Sequence, residues 1–288
     1  MNITIVGPGL IGGSMALDLK NNGNFIIGVD KNEVHLEQAK ALNLIDDVKS
    51  LDEAVLISDV IVLAIPIDSI KTILPQILDS ISIKTTVIDV GSTKASICEI
   101  VENHPKRGRY VAAHPLAGTE FSGPKAALKG LFEGKYNIIS EEYKSDEDAL
   151  EIAIDLFNQL GMTTMFMNPN DHDKHMAYVS HLSHISSFML GQTVLEIEKD
   201  EKQIFNLAST GFESTVRLAK SSADTWVPIF ENNSKNISDA LEQYIGYLQE
   251  FKDAVDSNNS EQMMFMITKA NEIKRILLGM KLNIVKLS

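Results

Sequence analysis

The chain has 288 residues, enough for one large domain or two ordinary ones. Hydrophobic residues make up 44% and charged residues 23%, a balance that excludes a disordered or collagen-like chain. With 26 Lys and Arg against 39 Asp and Glu, the net charge is −13, and there is no basic run, so we expect no nucleic-acid partner.

The chain also lacks the signals of a membrane or secreted protein. Its longest purely apolar run, Val60 to Ile67, is far shorter than the roughly 20 residues that a bilayer crossing needs. The first residues show neither a basic region nor a long apolar core, and the single cysteine, Cys98, cannot form an internal disulfide. We therefore expect a cytoplasmic protein with no membrane partner.

The first half of the chain alternates short β-branched segments with helical patterns, which is typical of a parallel sheet covered by crossover helices. The near-continuous apolar character of these segments suits strands that are buried on both faces. The clear strand candidates are Ile3–Val6, Phe25–Asp30, Val60–Ile65, Thr86–Val90 and Tyr110–Ala113, and the weaker ones are Tyr136–Ser140 and Thr163–Met167.

The pattern changes after the loop Asn168-Pro169-Asn170-Asp171, where apolar residues recur at helical spacing. Three such stripes run over Met176–Val194, Ile237–Val255 and Met263–Leu277, the last continuing to the end of the chain. The sequence thus predicts a sheet domain over 1–168 and an all-helical domain over 169–288. The long apolar stripes could also cover a partner subunit.

The strongest local motif is Gly7-Pro8-Gly9-Leu10-Ile11-Gly12, which follows the first strand and opens a helix. The three glycines allow a tight turn, a close approach of a pyrophosphate and close helix packing. The helix N-terminus offers free N–H groups to phosphates. The second strand ends in Asp30, whose carboxylate can bind both ribose hydroxyls and repels a 2′-phosphate. These features predict a Rossmann-like doubly wound, mostly parallel sheet that binds NAD rather than NADP. Candidate cofactor contacts are Gly7, Gly9, Leu10, Ile11, Gly12 and Asp30, with Ile65 and Pro66 at the end of a third strand.

Two further strand ends carry polar side chains. Ser92 follows the strand Thr86–Val90, and His114 follows the strand Tyr110–Ala113. Open α/β sheets bind ligands beyond the carboxyl ends of their strands, so both residues are expected at the same edge as the glycine loop. A neutral imidazole there can accept a proton from a substrate hydroxyl as hydride leaves the same carbon. A helix cap for Ser92 and a loop cap for His114 are the alternative interpretations.

Four of the seven histidines fall between His172 and His184. Ser180 and His184 are four residues apart and therefore share one helical face, as do His181 and His184. Imidazoles at such spacing could bind zinc, but no HExxH pattern is present and Cys98 is distant in sequence. We expect a polar face over the cofactor crevice and no metal.

A hydroxyl-rich stretch, Thr210 to Ser221, carries Arg217 between apolar neighbours. The planar guanidinium of such an arginine can bind a carboxylate bidentately, although a surface salt bridge is the simpler alternative. Trp226 is most simply a core or interface anchor.

Taken together, these motifs resemble the prephenate/arogenate dehydrogenases of tyrosine biosynthesis. The motifs that carry the resemblance, in family order, are GPGLIGGS at the start, GSTK at 91–94, HPLAGTE at 114–120, HD and SHLSH within 172–184, and TGFESTVRLAKS at 210–221. The resemblance implies an NAD-dependent oxidative decarboxylation of prephenate to 4-hydroxyphenylpyruvate by a homodimer built through the helical domain. It also implies catalytic roles for His114, which binds the ring hydroxyl, and Ser92, which orients it. Arg217 would bind a substrate carboxylate, and Ser180, His184, Thr119 and Glu120 correspond to pocket-lining positions.

Glu213 departs from the family pattern, because an acidic residue replaces a basic one close to the expected anion site. Glu213 either turns away or tolerates the ammonium group of arogenate, so an arogenate dehydrogenase remains an alternative. The sequence also leaves open a different two-domain NAD(P) oxidoreductase and a non-catalytic NAD-sensing module.

Overall fold

A computed structural model describes residues 1–200 and 209–279 of the chain. Eight strands form one sheet in the order β3-β2-β1-β4-β5-β6-β7-β8. The strands are β1 (Asn2–Val6), β2 (Phe25–Val29), β3 (Asp47–Val48), β4 (Val60–Leu63), β5 (Thr86–Asp89), β6 (Tyr110–Pro115), β7 (Tyr136–Ser140) and β8 (Thr163–Phe166).

Helices connect the strands and then follow one another to the end of the described chain. Those of the sheet region are α1 (Leu10–Asn21), α2 (Glu33–Ala41), α3 (Leu51–Ile57), α4 (Ile67–Ser80), α5 (Ala95–Ile100) and α6 (Glu147–Gln159). The later ones are α7 (Pro169–Met176), α8 (Leu182–Asp200), α9 (Thr210–Val216), α10 (Ala223–Asn232), α11 (Ser234–Asp256) and α12 (Ser260–Ala270).

The sheet is mostly parallel, which confirms the predicted fold class. Strands β1 to β6 all pair in parallel, β7 pairs antiparallel with β6, and β8 pairs parallel with β7. All seven sequence-predicted strand segments form strands, whereas the two-residue edge strand β3 was not predicted. A pairing of two residues leaves no periodicity that a sequence could reveal.

The core lies on both faces of this sheet, as the apolar strands predict. One buried cluster packs α1, α2 and α6 against the sheet and includes Met15, Ala39 and Phe157. The other packs α3, α4 and α5 against the opposite face and includes Val55 and Leu74. Because β1, β4, β5 and β6 pair in parallel, their carboxyl ends meet at one edge of the sheet.

The second half is helical, as predicted, but its helices differ in detail from the apolar stripes. The stripe from Met176 onward contains a π-helical segment, Ala177–His181, between α7 and α8. Such an extra residue per turn changes which side chains share a face. The third predicted stripe is interrupted, because α12 ends at Ala270 and Asn271 follows as its cap. The end of the chain, residues 280–288, lies outside the described residues.

The chain divides into two compact units, Met1–Ser234 and Lys235–Ser288. The first unit contains the sheet and helices α7 to α10 as well, so its limit differs from the boundary at residue 168 that the sequence suggests. That boundary stays a prediction. Within residues 1–200 and 209–279, no helix has the length and apolar character that a bilayer crossing needs.

Candidate active site

The glycine loop between β1 and α1 has the shape that the sequence predicts. Gly7 has a φ of +87°, and a Cβ on it would lie 2.5 Å from the carbonyl oxygen of Ala64. A Cβ on Gly12 would lie 2.3 Å from the carbonyl oxygen of Gly7, so only glycine lets α1 pack this closely. At Gly9, by contrast, the nearest atoms would be 4.0 Å away, on Gly123. Space is therefore open only where a pyrophosphate would approach the backbone, and no side chain caps α1 there.

A cavity of about 300 Å³ lies next to this loop. Of the residues predicted to contact the cofactor, Leu10, Ile11, Ile65 and Pro66 line it, together with Ser92. Gly7 and Gly9 lie in the turn before Leu10, and Gly12 lies in the first turn of α1. The donor-rich loop, the open position at Gly9 and the adjoining cavity fit a dinucleotide.

Asp30 directly follows β2, beside the strand that leads into the glycine loop. Its Oδ1 accepts a hydrogen bond from the backbone N–H of Asn32 over 2.9 Å, and its Oδ2 lies 3.4 Å from Nδ1 of His35. The carboxylate keeps further lone pairs for ribose hydroxyls.

A second cavity, of about 370 Å³, brings together most of the remaining predicted residues. Those that line it are Ser92, His114, Thr119, Ser180, His184 and Arg217. They come from β6, two loops at the strand ends and the helical segments that follow the sheet. The two cavities share Ser92, Thr119 and Trp226 among their lining residues, so they adjoin.

His114 is the candidate base of this cavity, and hydrogen bonds to buried side chains hold its ring in place. Its Nδ1 lies 2.8 Å from Nε2 of His172, and Nδ1 of His172 lies 2.8 Å from Oδ1 of Asp173. Burial, followed by the nearby His172, Lys94 and His181, holds the pKa of His114 well below its ordinary value. The imidazole is therefore neutral at physiological pH and able to accept a proton.

The same region of the protein contains a buried ion pair. Lys94 is fully buried and pairs with Asp89, and its Nζ donates to the carbonyl oxygen of Ala113 over 2.7 Å. The hydroxyl of Tyr110 donates to Oδ1 of Asp89 over 2.6 Å. A buried charge is tolerated when its partner and its hydrogen bonds are supplied, and here they tie β5 to β6 directly before His114.

His184 faces the same cavity from α8. Its Nδ1–H donates to the carbonyl oxygen of Ser180 over 3.0 Å, and its ring stacks on Trp226 with centroids 3.5 Å apart. Burial lowers the pKa of His184. Its Nε2 is thus free to accept a hydrogen bond. Trp226, predicted as a core or interface anchor, is only half-buried and lines both cavities.

Arg217 reaches the cavity from the turn after α9 and pairs with a carboxylate of its own chain. Its Nη1 donates to Oε2 of Glu120 over 2.8 Å, and half of its side chain is exposed. Glu120 itself does not line the cavity. The side chain of Glu213 is 72% exposed and lies 4.0 Å from Lys220, which agrees with the alternative that it turns away.

The histidine cluster does not form a single polar face over the crevice. Of these four, His172 and His181 are buried, His175 is exposed, and His184 lines the second cavity. In residues 1–200 and 209–279, no group of three or more His, Cys, Asp or Glu side chains is arranged to hold a metal ion. Burial raises the pKa of Cys98 to about 12, so its thiol stays protonated.

Sequence reasoning missed the groups behind the cavity. His172 and Asp173 stand out as an HD pair, and Lys94 as the end of GSTK, but no local pattern shows that they meet β5 and β6. Ser92 was an alternative candidate for a helix cap. In the structure α5 begins at Ala95, and the backbone N–H groups of Lys94 and Ala95 donate to Asp173 instead.

A glycine loop at a strand end, a cavity beside it and an adjoining cavity with a neutral imidazole are the features of a nicotinamide-dependent oxidoreductase. Comparison with known proteins gives the family. The family model of the prephenate dehydrogenase nucleotide-binding domain matches residues 15–165, and that of the prephenate dehydrogenase dimerization domain matches residues 168–269. The chain belongs to the prephenate dehydrogenase family, whose members are NAD-dependent oxidoreductases.

Similar proteins cover nearly the whole chain. It is 29% identical to the prephenate dehydrogenase of Bacillus subtilis over 94% of this chain and 75% of that one. The crystal structure of prephenate dehydrogenase from Aquifex aeolicus with hydroxyphenyl propionate and NAD+ matches with a TM-score of 0.85 and 30% identity, over 96% of this chain and 98% of that one. The arogenate dehydrogenase of Synechocystis matches with a TM-score of 0.75 and 26% identity, over 96% and 100%.

Proposed function

We propose that this protein catalyses the NAD-dependent oxidative decarboxylation of prephenate to 4-hydroxyphenylpyruvate and carbon dioxide. The observation that carries the proposal is the convergence of Ser92, His114 and Arg217 on one 370 Å³ cavity that shares its wall with the dinucleotide cavity. A base, a hydroxyl and an anion-binding group are the functions that this reaction requires beside the cofactor. The names of the similar proteins support the same substrate class.

His114 is the group that removes the hydroxyl proton. The proton on the ring 4-hydroxyl of the substrate passes to the neutral imidazole, while the C–H bond on the same carbon breaks. NAD held at the glycine loop would supply the hydride acceptor for that carbon. Ser92 lines both cavities, so its hydroxyl can hydrogen-bond the same oxygen and hold it toward His114. Loss of carbon dioxide from the opposite ring carbon restores aromaticity and makes the reaction irreversible.

Arg217 supplies the charge for a substrate carboxylate. A guanidinium presents a planar pair of donors that matches a carboxylate, and its present partner, Glu120, is itself a carboxylate. Glu120 therefore engages one donor of the anion-binding group before substrate arrives. Ser180, Thr119 and His184 complete the cavity wall and contribute polar contacts to the ring and its side chain.

The glycine loop and Asp30 hold the cofactor. The N–H groups at the start of α1 face the pyrophosphate, Gly9 leaves room for it, and Asp30 binds the 2′- and 3′-hydroxyls of the adenosine ribose, the first of which is phosphorylated in NADP. A carboxylate at this position selects NAD because it repels a 2′-phosphate.

The active enzyme is a cytoplasmic homodimer formed through the helical region. The family model matched over 168–269 describes a dimerization domain. Between residues 235 and 279, apolar side chains are widely exposed, with Leu248 at 52% and Phe265 at 60%, and these two line a cavity of about 450 Å³. Exposed apolar area of this kind is typical of an interface between subunits.

The assay that tests the proposal is the appearance of NADH with prephenate and, separately, with arogenate. We expect turnover with prephenate that is equal to or greater than turnover with arogenate. The exposed position of Glu213 gives no reason for an ammonium-binding site. Turnover with arogenate alone would show that arogenate, and not prephenate, is the substrate. Turnover with neither compound would contradict the proposal.

A further inference from the structure

The cavity histidine is the first member of a chain of three side chains that leads into the protein interior. His114 contacts His172, and His172 contacts Asp173, over 2.8 Å in each case. His172 is 0% exposed and Asp173 is 2% exposed, and neither lines the cavity. The side chain of His172 therefore reaches a ligand in this cavity through His114.

The direction of the hydrogen bonds between these three side chains is fixed at Asp173. Its Oδ1 accepts the backbone N–H of Lys94 over 2.7 Å, and its Oδ2 accepts the backbone N–H of Ala95 over 2.9 Å. Backbone N–H groups can only donate, so both carboxylate oxygens act as acceptors here. The side-chain amide of Asn233 donates to the backbone carbonyl oxygen of Asp173 over 2.7 Å, which further fixes this residue of α7.

The proton positions on both rings follow from this anchor. Because Oδ1 of Asp173 accepts, Nδ1 of His172 must carry the hydrogen, and Nε2 of a neutral His172 is then an acceptor. That acceptor faces Nδ1 of His114, which must therefore be the donor. A neutral His114 with a hydrogen on Nδ1 has its lone pair on Nε2, the ring nitrogen that remains available to the cavity.

We propose that His172 and Asp173 are positioning residues that hold His114 in the tautomer whose unprotonated Nε2 serves the cavity. This inference rests on the proposed function for its consequence, since a base needs that lone pair to accept the substrate's proton. Without the chain, His114 would divide between two tautomers, one of which presents an N–H to the substrate hydroxyl and cannot take its proton. The hydrogen bond also fixes the plane of the ring.

The direct test reads the tautomer without substrate. Long-range ¹H–¹⁵N correlation spectra of the full-length, histidine-labelled protein at pH 7.5 distinguish protonated from unprotonated ring nitrogens, and His114→Asn identifies the signals of His114. We expect a protonated Nδ1 and an unprotonated Nε2. A protonated Nε2 on His114 would overturn the proposal even if the enzyme turned over prephenate. If the spectrum is as expected but neither prephenate nor arogenate is turned over, the proposed function is rejected and the tautomer assignment stands.

A pair of variants at His172 tests the consequence. In His172→Gln, the amide oxygen can accept from Nδ1 of His114 and the amide nitrogen can donate to Asp173, so we expect kcat to stay within about 10-fold of wild type. In His172→Leu neither bond forms, and we expect kcat to fall by about 10²-fold. The fall should be smaller than the roughly 10⁴-fold cost of a wrong tautomer in a Ser-His-Asp triad, because the tautomers remain in exchange.

The split between kcat and KM separates positioning from a purely structural role. Since His172 does not line either cavity, KM for prephenate and the dissociation constant of NAD should change less than 3-fold or so in both variants. The matched control is His175→Leu, an exposed histidine on the same helix, which should leave kcat unchanged. Equal kcat in the Leu and Gln variants of His172 would overturn the proposal.

Discussion

Arg217 and Glu120 form an ion pair beside the cavity that Arg217 lines, with Nη1 of the arginine 2.8 Å from Oε2 of the glutamate. The guanidinium proposed for a substrate carboxylate is therefore already matched by a carboxylate of the chain. A hydrogen bond from its own backbone N–H, followed by the hydrogen bond and charge of Arg217, lowers the pKa of Glu120, so Glu120 remains ionised over the working pH range. A substrate carboxylate at this guanidinium would therefore lie next to a second negative charge, that of Glu120.

Removal of the competing charge should strengthen substrate binding. In Glu120→Gln the amide is a weaker partner for Arg217, so we expect KM for prephenate to fall by about 2- to 5-fold, the equivalent of an exposed ion pair. Steady-state kinetics at constant NAD measures this. Glu213→Gln is the matched control, because Glu213 is exposed and does not line the cavity, and it should leave KM unchanged. A KM that rises in Glu120→Gln would show that Glu120 assists binding instead.

The glycine loop offers a pair of variants that separate folding from cofactor binding. Gly12→Ala places a methyl group 2.3 Å from the carbonyl oxygen of Gly7, a backbone atom that cannot move away, so it should lower the free energy of unfolding by about 1–3 kcal/mol. Gly9→Ala meets no atom closer than 4.0 Å and should leave stability unchanged while it weakens NAD binding. Thermal unfolding and NAD titration of both variants check this. Equal effects of the two on NAD affinity and stability would contradict the assignment.

Asp30 should set the choice of cofactor. Replacement by serine removes the charge that repels a 2′-phosphate, so the ratio of kcat/KM for NAD to that for NADP should fall by about 10-fold or more. The measurement is kinetics with each cofactor. The control is Glu33→Gln, an exposed carboxylate at the start of α2, for which the ratio should stay the same. An unchanged ratio in Asp30→Ser would place the ribose elsewhere.

Buried neutral histidines should make the fold acid-sensitive. Burial lowers the pKa of His181 from 6.5 to about 4. Between these values the unfolded chain binds more protons than the folded one, so the free energy of unfolding falls as pH falls, by on the order of 3 kcal/mol for this group. This stabilisation is complete above about pH 6.5 and lost as the pH approaches about 4.

Urea unfolding at pH 7.5 and pH 5.0 tests this pH dependence in three proteins. His181→Gln should show a smaller loss between the two pH values than wild type, and the exposed His175→Gln should match wild type. His181 accepts a hydrogen bond from Asn233 over 3.1 Å, which the glutamine carbonyl can replace. An identical loss in wild type and His181→Gln would contradict the assignment of the effect to this ring.

The sequence was sufficient for features that follow from local patterns. The apolar strands predicted the parallel sheet because burial on both faces requires near-continuous hydrophobicity. The spacing of Gly7, Gly9 and Gly12 predicted the loop because each glycine answers a separate steric demand. Ser92 and His114 were placed at one sheet edge by the rule that parallel strands end together.

The features that escaped prediction depend on contacts between distant segments. Nothing near Asp173 in sequence shows that it binds the backbone at the start of α5. The contact of its neighbour His172 with His114 could therefore not be predicted either. The π-helical segment Ala177–His181 adds a residue to one turn, which the spacing of apolar residues does not reveal. The pairing of Arg217 with Glu120 joins residues 97 positions apart, beyond the reach of any periodicity.

The measurement that decides most directly is NADH formation from prephenate by wild type and by His114→Asn. Asparagine retains a polar side chain of moderate size but has no basic nitrogen, so kcat should fall by about 10²- to 10⁴-fold, while NAD affinity stays the same. That result would identify His114 as the group that takes the hydroxyl proton. Wild-type turnover in His114→Asn, with prephenate as substrate, would contradict the proposed mechanism.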